Sequence, residues 1–279
     1  MIKLMAIFDK IVPENFKQEI KETYHIYEYY RNSLFGKPFS QVEIETQTIC
    51  NRKCKICPNS IYSKGNHRMD LGLYRLVLEQ LAEINYDGRI VLNLHNEPLL
   101  DFRLPSLIEE AKLKVPKSTV IIYTNGSLLK NKLEAIVEAG IDGIVVSQYE
   151  KGLQKEIEEF IKELPKEKKQ IIRYRVLKDK QKLSTWGGLV KVKNPQVKKY
   201  CFQASTDLII DWKGNVLLCC NDYFSEYSFG NLKKESILDI WNKEEYKEIK
   251  KELRKGNFIL EICKFCAGRN QGKLRKPIL

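Results

Sequence analysis

Apolar and polar positions divide the chain into a helical beginning and a longer region where strand and helix patterns alternate. Residues 1–40 are predicted to form a helical lead-in, because apolar side chains recur every three or four positions from Phe16 until Gly36 and Pro38 interrupt them. The apolar blocks after residue 40 predict five strands, at Val42–Gln47, Arg89–Leu94, Ser118–Tyr123, Ile141–Ser147 and Gln170–Leu177. Helical patterns lie between them, at Leu71–Ile84, Leu104–Leu113, Lys130–Ala139 and Lys151–Leu164.

This alternation predicts an α/β fold with a parallel sheet covered by helices. Five strands are too few for a closed eight-stranded barrel, so we expect an open, partial TIM-like barrel. The alternation of strand and helix patterns stops after Leu177. Residues 207–219 are predicted to form a hairpin, followed by helices at 235–242 and 244–255. We therefore divide the chain into the lead-in at 1–40, a core at 41–185, and a small cysteine-rich α+β module at 186–279.

Charge and composition narrow the classes of function. The chain has 279 residues, of which 48 are Lys or Arg and 36 are Asp or Glu, for a net charge of +12. The basic residues are interleaved with Glu and form no aromatic–basic stripe, which argues against nucleic acid as a partner. No apolar run reaches the length of a membrane helix, and no secretory signal is visible, so we expect no membrane contact and a cytoplasmic location. Eight cysteines in such a protein indicate metal or redox chemistry.

Three of these cysteines, Cys50, Cys54 and Cys57, form a C-x3-C-x2-C run directly after the first predicted strand. Ligand sites in parallel α/β sheets lie at the carboxyl ends of the strands, where this run falls. Three thiolates can hold a [4Fe–4S] cluster and leave one iron without a protein ligand. An open coordination position of that kind is where metal chemistry takes place.

A second set of cysteines follows residue 200, at Cys201, Cys219, Cys220, Cys263 and Cys266. Four of them can hold either a structural zinc ion or an iron–sulfur cluster. Neighbouring residues of a strand point to opposite faces, so only one of the adjacent pair is expected to be a ligand. A non-catalytic, zinc-stabilised binding protein therefore stays an alternative to an enzyme at this point.

The first cysteine run resembles the signature of radical S-adenosylmethionine (SAM) enzymes, and further signals follow in order. The Asn-Glu-Pro after the second strand stands where the family usually has Gly-Glu-Pro, and a Thr-Asn-Gly ends the third strand. The resemblance implies that a cluster on Cys50, Cys54 and Cys57 binds SAM, whose cleavage gives a 5′-deoxyadenosyl radical that abstracts a substrate hydrogen atom. It implies SAM contacts from Asn96, Glu97, Pro98, Asn125, Ser147, Arg173 and Arg175. His95 is a candidate for substrate or cofactor contact, or else for packing.

The tail resembles the SPASM/Twitch extension of the same superfamily, which implies a second [4Fe–4S] cluster held by Cys201, Cys219, Cys263 and Cys266. Four thiolates saturate such a cluster, which suits electron transfer and a net two-electron oxidation. The resemblance extends to aminocyclitol dehydrogenases, which oxidise small molecules, and to peptide maturases. We prefer a small molecule as substrate over a peptide, because the first 40 residues are too few for a leader-peptide-binding domain. An external electron donor such as flavodoxin or ferredoxin is also implied.

Overall fold

The computed structural model describes residues 14–148, 151–176, 181–270 and 274–276. Its strands are β1 Gln41–Ile44, β2 Arg89–Val91, β3 Thr119–Thr124, β4 Gly143–Gln148, β5 Ile172–Val176, β6 Asp207–Ile210, β7 Asn215–Leu217 and β8 Ser228–Asn231. Its α-helices are α1 Glu14–Leu34, α2 Leu71–Glu83, α3 Leu104–Lys114, α4 Leu129–Glu138, α5 Lys151–Glu163, α6 Lys166–Ile171, α7 Ile237–Trp241, α8 Glu244–Lys255 and α9 Glu261–Cys266. The first 13 residues of the predicted lead-in and the predicted end of the fifth strand at Leu177 lie outside the described residues.

The strands form one sheet in the order β5-β4-β3-β2-β1-β6-β7-β8. Strands β1 to β6 pair in parallel, whereas β7 and β8 are antiparallel additions. Among the described strands, β5 and β8 are the two edges, so the parallel sheet does not close into a barrel. The predicted open α/β architecture is therefore confirmed. The predicted hairpin is also present, but β6 continues the sheet by pairing with β1 rather than standing apart.

Alternation along the strands separates an outer from an inner face. In β1 to β4, and at Leu92 just beyond β2, every second residue is apolar and fully buried in one core with helices α2 to α5: Val42, Ile44, Ile90, Leu92, Val120, Ile122, Ile144 and Val146. Successive side chains of a strand point to opposite faces. The residues between them, which are more polar, therefore line the other face of the sheet, which we call the inner face.

Two predicted strands end earlier than expected. The strand β1 ends at Ile44 rather than Gln47, and β2 ends at Val91 rather than Leu94. Polar residues dominate the segments that follow, and their backbone groups bond to loops as well as to neighbouring strands. The start predicted for the fifth strand is also corrected, because residues 166–171 form helix α6 and β5 begins at Ile172.

Helix α1 lies against the amino ends of the strands, away from the cysteine loop. The His25 ring bonds with the Thr206 hydroxyl at 2.8 Å, and the guanidinium of Arg89, the first residue of β2, lies 5.5 Å from the ring centroid of Tyr24. The Tyr29 ring contacts Phe202. The helix therefore covers one end of the sheet and leaves the carboxyl ends of the strands to the functional site.

Candidate active site and auxiliary cluster cavity

The loop after β1 brings Cys50, Cys54 and Cys57 together as half-buried thiols that form no disulfide. The Cys57 amide donates to the Cys54 carbonyl at 2.8 Å, which closes a tight turn between the last two. Burial, together with the neighbouring Cys54 and Cys50, raises the pKa of Cys57 to about 11. The Cys57 thiol is therefore protonated near neutral pH, and a cluster that binds it must displace its proton.

Arg52, inside this loop, is a buried cation. Arg52 is 8% exposed, and within the part of the chain that the structure describes neither terminal guanidinium nitrogen has a hydrogen-bond partner. Burial raises the pKa of Cys50, whereas the backbone amide and the charge of Arg52 oppose that rise. Buried donors of this kind require an acceptor, and a guanidinium fits a carboxylate best. The sequence pattern alone gave no sign that Arg52 is buried.

Glu97 ties the end of β2 to the end of β3. Its buried carboxylate accepts hydrogen bonds from the Thr124 hydroxyl at 2.6 Å, the Asn125 amide at 2.8 Å and the Leu99 amide at 3.2 Å. Burial raises the pKa of Glu97, and these bonds oppose the rise. The Glu97 carbonyl also accepts from Gln47 at 2.9 Å. All of these partners belong to the chain, so the geometry favours a positioning role for Glu97.

The other predicted SAM contacts on β2 and β3 surround Glu97. Asn96 is buried, and its Oδ1 accepts from the Leu94 amide, while its Nδ2 has no partner. Pro98 starts a short 3-10 helix, Pro98–Leu100. Asn125 donates from its side chain to Asn51 of the cysteine loop at 2.9 Å. The structure thus brings these residues together next to the first three cysteines.

Ser147, Arg173 and Arg175 lie further along the sheet, on β4 and β5. Arg175 donates to the Ser147 hydroxyl at 2.9 Å, and its guanidinium lies 5.8 Å from the ring centroid of Tyr123. The hydroxyl of Tyr174, between the two arginines, bonds to Gln154 on helix α5. Both arginines therefore leave β5 on the inner face, opposite the helices.

Unpaired polar atoms mark the carboxyl ends of the strands as a ligand site. Most of the buried side-chain atoms that lack a partner among the described residues lie at or beyond the ends of β1, β2 and β4: Glu45 Oε2, Thr46 Oγ1, Gln47 Oε1, Arg52 Nη1 and Nη2, Asn96 Nδ2 and Gln148 Oε1. Buried polar groups are normally hydrogen-bonded. This concentration of donors and acceptors fits a polar cofactor such as SAM together with a polar substrate.

The second cysteine set surrounds a cavity beside β6 and β7, which is lined by Cys201, Cys219, Cys263 and Cys266. Cys220 is not among the lining residues, and its sulfur accepts from Gln203 at 3.2 Å. No three His, Cys, Asp or Glu side chains of the described residues converge on a point that suits a single metal ion. In an iron–sulfur cubane each thiolate binds a different iron, so its ligands stand around a volume, as these four do.

Short hydrogen-bonded links join the two cysteine sites. The Trp186 indole donates to the Ile56 carbonyl, inside the first cysteine loop, at 2.9 Å. Ser184 donates to Asn221 at 2.8 Å, and Asn221 contacts the sulfur of Cys266 at 3.5 Å. These contacts hold the cavity in a fixed position beside the strand-end site.

Two family models match the chain. Residues 44–150 match the radical SAM superfamily, and residues 201–267 match SPASM, described as an iron–sulfur cluster-binding domain. Over 236 residues the chain is 32% identical to the S-adenosyl-L-methionine-dependent 2-deoxy-scyllo-inosamine dehydrogenase of Niallia circulans, a match that covers 82% of this chain and 93% of that one.

Solved structures agree with these matches. The crystal structure of BtrN in complex with AdoMet and 2-DOIA superposes with a TM-score of 0.76 at 30% identity, and the match covers 86% of this chain and 96% of that one. The structure of anSMEcpe with bound AdoMet shares the fold, with a TM-score of 0.54 at 12% identity over 83% of this chain and 88% of that one.

The open parallel sheet, the strand-end cysteine loop and the four-cysteine cavity define an iron–sulfur enzyme. The chain belongs to the radical SAM superfamily and carries a SPASM domain in its C-terminal region. Its cofactors are SAM and two [4Fe–4S] clusters, and the comparisons favour a cluster over zinc for the second cysteine set. Among the described residues, no helix has the length and apolar character needed to cross a bilayer.

Proposed function

We propose that this enzyme oxidises a secondary alcohol of a small, polar, cyclic substrate of the aminocyclitol type to the ketone. The observation that carries the proposal is the four-cysteine cavity held beside the strand-end site, since an electron acceptor in that position suits oxidation. The substrate class draws on the likeness to a 2-deoxy-scyllo-inosamine dehydrogenase, which extends over 93% of that protein. The polar side chains of the inner face support a hydroxyl-rich substrate.

Each cofactor is assigned to residues of this chain. Cys50, Cys54 and Cys57 hold the SAM-binding cluster, and the cavity cysteines Cys201, Cys219, Cys263 and Cys266 hold the auxiliary cluster. When bound, the first cluster and SAM supply the radical that removes a substrate hydrogen atom, and the auxiliary cluster accepts one electron.

The strand-end residues orient SAM in this proposal. The unpaired nitrogens of Arg52 and Asn96 are the donors for its carboxylate. Glu97 and Asn125 fix the loop around it through their bonds to each other and to Asn51. Pro98, Ser147, Arg173 and Arg175 complete the predicted contacts on the inner face, with Arg175 already bonded to Ser147.

The first cluster needs an external electron donor, for which we propose an acidic redox protein such as a flavodoxin or ferredoxin. A net charge of +12 on this chain supports association with an acidic partner. A reducing compartment such as the cytoplasm suits a chain whose eight cysteines are all outside disulfide bonds.

Anaerobic reconstitution tests this function. The proposal predicts about eight irons and eight sulfides per chain, 5′-deoxyadenosine after reduction with SAM, and ketone formation from 2-deoxy-scyllo-inosamine. Cys54→Ala should abolish SAM cleavage, whereas Cys263→Ala should retain part of it and stop ketone formation. Cys220→Ala is the matched control and should keep both activities. Tightly bound zinc without iron in the purified chain, or equal loss of both activities in folded Cys54→Ala and Cys263→Ala chains, would contradict the proposal.

A further inference from the structure

Glu45, Lys64 and His95 form a buried charged cluster at the carboxyl ends of β1 and β2. None of them is among the residues assigned above to SAM or to a metal cluster. The side chains of Glu45 and His95 are 0% exposed, and that of Lys64 is 11% exposed. Burial of charged groups costs free energy unless the groups are paired and hydrogen-bonded.

The hydrogen bonds define the protonation of this cluster. The Lys64 ammonium donates to Glu45 Oε1 at 2.8 Å and lies 2.9 Å from His95 Nδ1. His95 Nε2 lies 2.7 Å from the carbonyl oxygen of Cys220, which can only accept. His95 therefore carries its proton on Nε2, and its Nδ1 accepts from Lys64. Cys220 directly follows Cys219, which lines the auxiliary cavity. The Glu45–Lys64–His95 cluster therefore also contacts the segment that borders this cavity.

One oxygen of Glu45 is left over. Oε1 is bound by Lys64, whereas Oε2 is buried and has no hydrogen-bond partner among the described residues. Val42 and Ile44 point into the core with the helices, so Glu45 leaves the chain on the inner face, where the strand-end site lies. A buried ion pair that only stabilised the fold would be expected to satisfy both oxygens. The free oxygen is positioned to accept a hydrogen bond from a ligand hydroxyl.

Oxidation of a secondary alcohol to a ketone removes one hydrogen atom from carbon, one electron, and the proton of the hydroxyl group. The radical derived from SAM takes the hydrogen atom, and the auxiliary cluster takes the electron. The proton is the remaining product, and it requires a base at the substrate hydroxyl. Loss of the electron alone would leave a protonated ketone, a high-energy cation, so transfer of the hydroxyl proton to a carboxylate as the electron leaves gives the neutral ketone directly.

We propose that Glu45 Oε2 accepts the hydroxyl proton of the substrate, with Lys64 and His95 as positioning residues that hold the carboxylate in place. This inference rests on the proposed function.

The groups around Glu45 keep its carboxylate ionised, as a proton acceptor must be. Burial alone would raise the pKa of Glu45, but its polar neighbours, among them the ammonium group of Lys64, lower it by more, so the carboxylate is ionised at neutral pH. Burial lowers the pKa of His95, which agrees with the neutral tautomer assigned from the hydrogen bonds. The remaining neighbour is Tyr223, whose ring centroid lies 5.0 Å from the Lys64 nitrogen and 5.1 Å from that of His95. Burial raises the pKa of Tyr223, so it stays neutral and adds no charge.

The test uses the reconstituted full-length enzyme with Glu45→Gln and 2-deoxy-scyllo-inosamine deuterated at the carbon to be oxidised. We expect unchanged iron content, continued hydrogen-atom abstraction, and ketone formation lowered about 10²-fold, the usual contribution of a general base. Because the substrate radical cannot lose its proton, the ratio of 5′-deoxyadenosine to ketone should rise, deuterium should return to recovered SAM, and freeze-quenched samples should show an organic radical by electron paramagnetic resonance.

Two further variants complete the test. Glu79→Gln, which removes a half-exposed glutamate of helix α2, is the charge-matched control and should keep the wild-type ratio. Lys64→Met removes the cation that lowers the Glu45 pKa, so the acid limb of ketone formation should move to higher pH. If Glu45→Gln does not fold, Glu45→Asp should show the same raised ratio because its shorter side chain withdraws the oxygen.

The outcomes separate this inference from the proposed function. If the wild-type enzyme oxidises the substrate but folded Glu45→Gln keeps the wild-type ratio and shows no deuterium in SAM, only the role of Glu45 is wrong. An unshifted acid limb in Lys64→Met also contradicts it. If the wild-type enzyme cleaves SAM and forms no ketone, the proposed function fails and this inference falls with it.

Discussion

Glu97 offers a perturbation that separates a positioning role from direct contact with SAM. In Glu97→Gln one oxygen can keep the bonds from the Thr124 hydroxyl and the Leu99 amide, but the new amide group faces the Asn125 N–H, which then has no acceptor. One buried N–H without a partner costs about 1–3 kcal/mol. Glu97→Ala leaves all three donors without an acceptor and should cost about 3 kcal/mol or more. The loss of stability should therefore increase from Gln to Ala.

The assay pairs denaturant unfolding of the anaerobic chain with SAM affinity of the reconstituted enzyme, measured by equilibrium dialysis. A positioning role predicts that stability and SAM affinity fall together and in the same order in both variants. Glu79→Gln, at an exposed position, should change neither quantity. The reasoning is refuted if Glu97→Gln is as stable as the wild type but no longer binds SAM, because Glu97 would then contact the cofactor directly.

Three other predictions follow from the burial or close packing of single residues. Burial and the charge of Arg254 lower the pKa of Lys250 to about 7, whereas a lysine of the unfolded chain keeps its proton up to about pH 10. The unfolding free energy of the wild type should therefore rise between pH 7 and about 9 relative to that of Lys250→Met. Plots of unfolding free energy against pH that run parallel for the two proteins would contradict this. In Gly188→Ala the new Cβ would lie 2.4 Å from the Phe265 ring, at a backbone φ of +90°. This clash disturbs the side of the auxiliary cavity only, so we expect about half the iron to be lost while SAM cleavage continues. Full iron content in the variant would argue against it. Since burial raises the pKa of Cys57 to about 11, reconstitution should proceed faster at pH 9 than at pH 7, and a flat profile would count against that reasoning.

The parallel α/β core could be predicted because its signals are local. Alternating apolar blocks locate β1 to β5, and the structure confirms their order and the helices between them. The pairing of β6 with β1 could not be predicted, because periodicity does not indicate which distant strand is a neighbour. Helix α6 was not predicted, and its last two residues were assigned to the fifth strand, since a short charged segment such as residues 166–171 has little apolar periodicity. Helix α9 was missed because it spans only six residues.

The candidate site likewise has one part that local sequence signals predict and another part that depends on tertiary contacts. Cysteine spacing anticipated the cysteine loop, and strand alternation predicted that only one of Cys219 and Cys220 is a ligand. The resemblance to the SPASM/Twitch extension pointed to Cys219, and the cavity lining supports that preference. The burial of Arg52 and the cluster around Glu45 depend on tertiary contacts between distant segments: Lys64 and His95 are 31 residues apart, and His95 and Cys220 are 125 apart. No local pattern encodes such contacts. His95 was a candidate, but its partners could be found only in the folded chain.

The central claim is that one chain couples a radical-generating site to a second cluster that removes an electron from a small alcohol. The most direct measurement is the ratio of ketone to 5′-deoxyadenosine formed from 2-deoxy-scyllo-inosamine by the reconstituted enzyme and by Cys263→Ala, with SAM cleavage followed in both. The account predicts a ratio near one for the wild type and a ratio near zero for Cys263→Ala, which still forms 5′-deoxyadenosine. Ketone formation by Cys263→Ala at the wild-type ratio would contradict it.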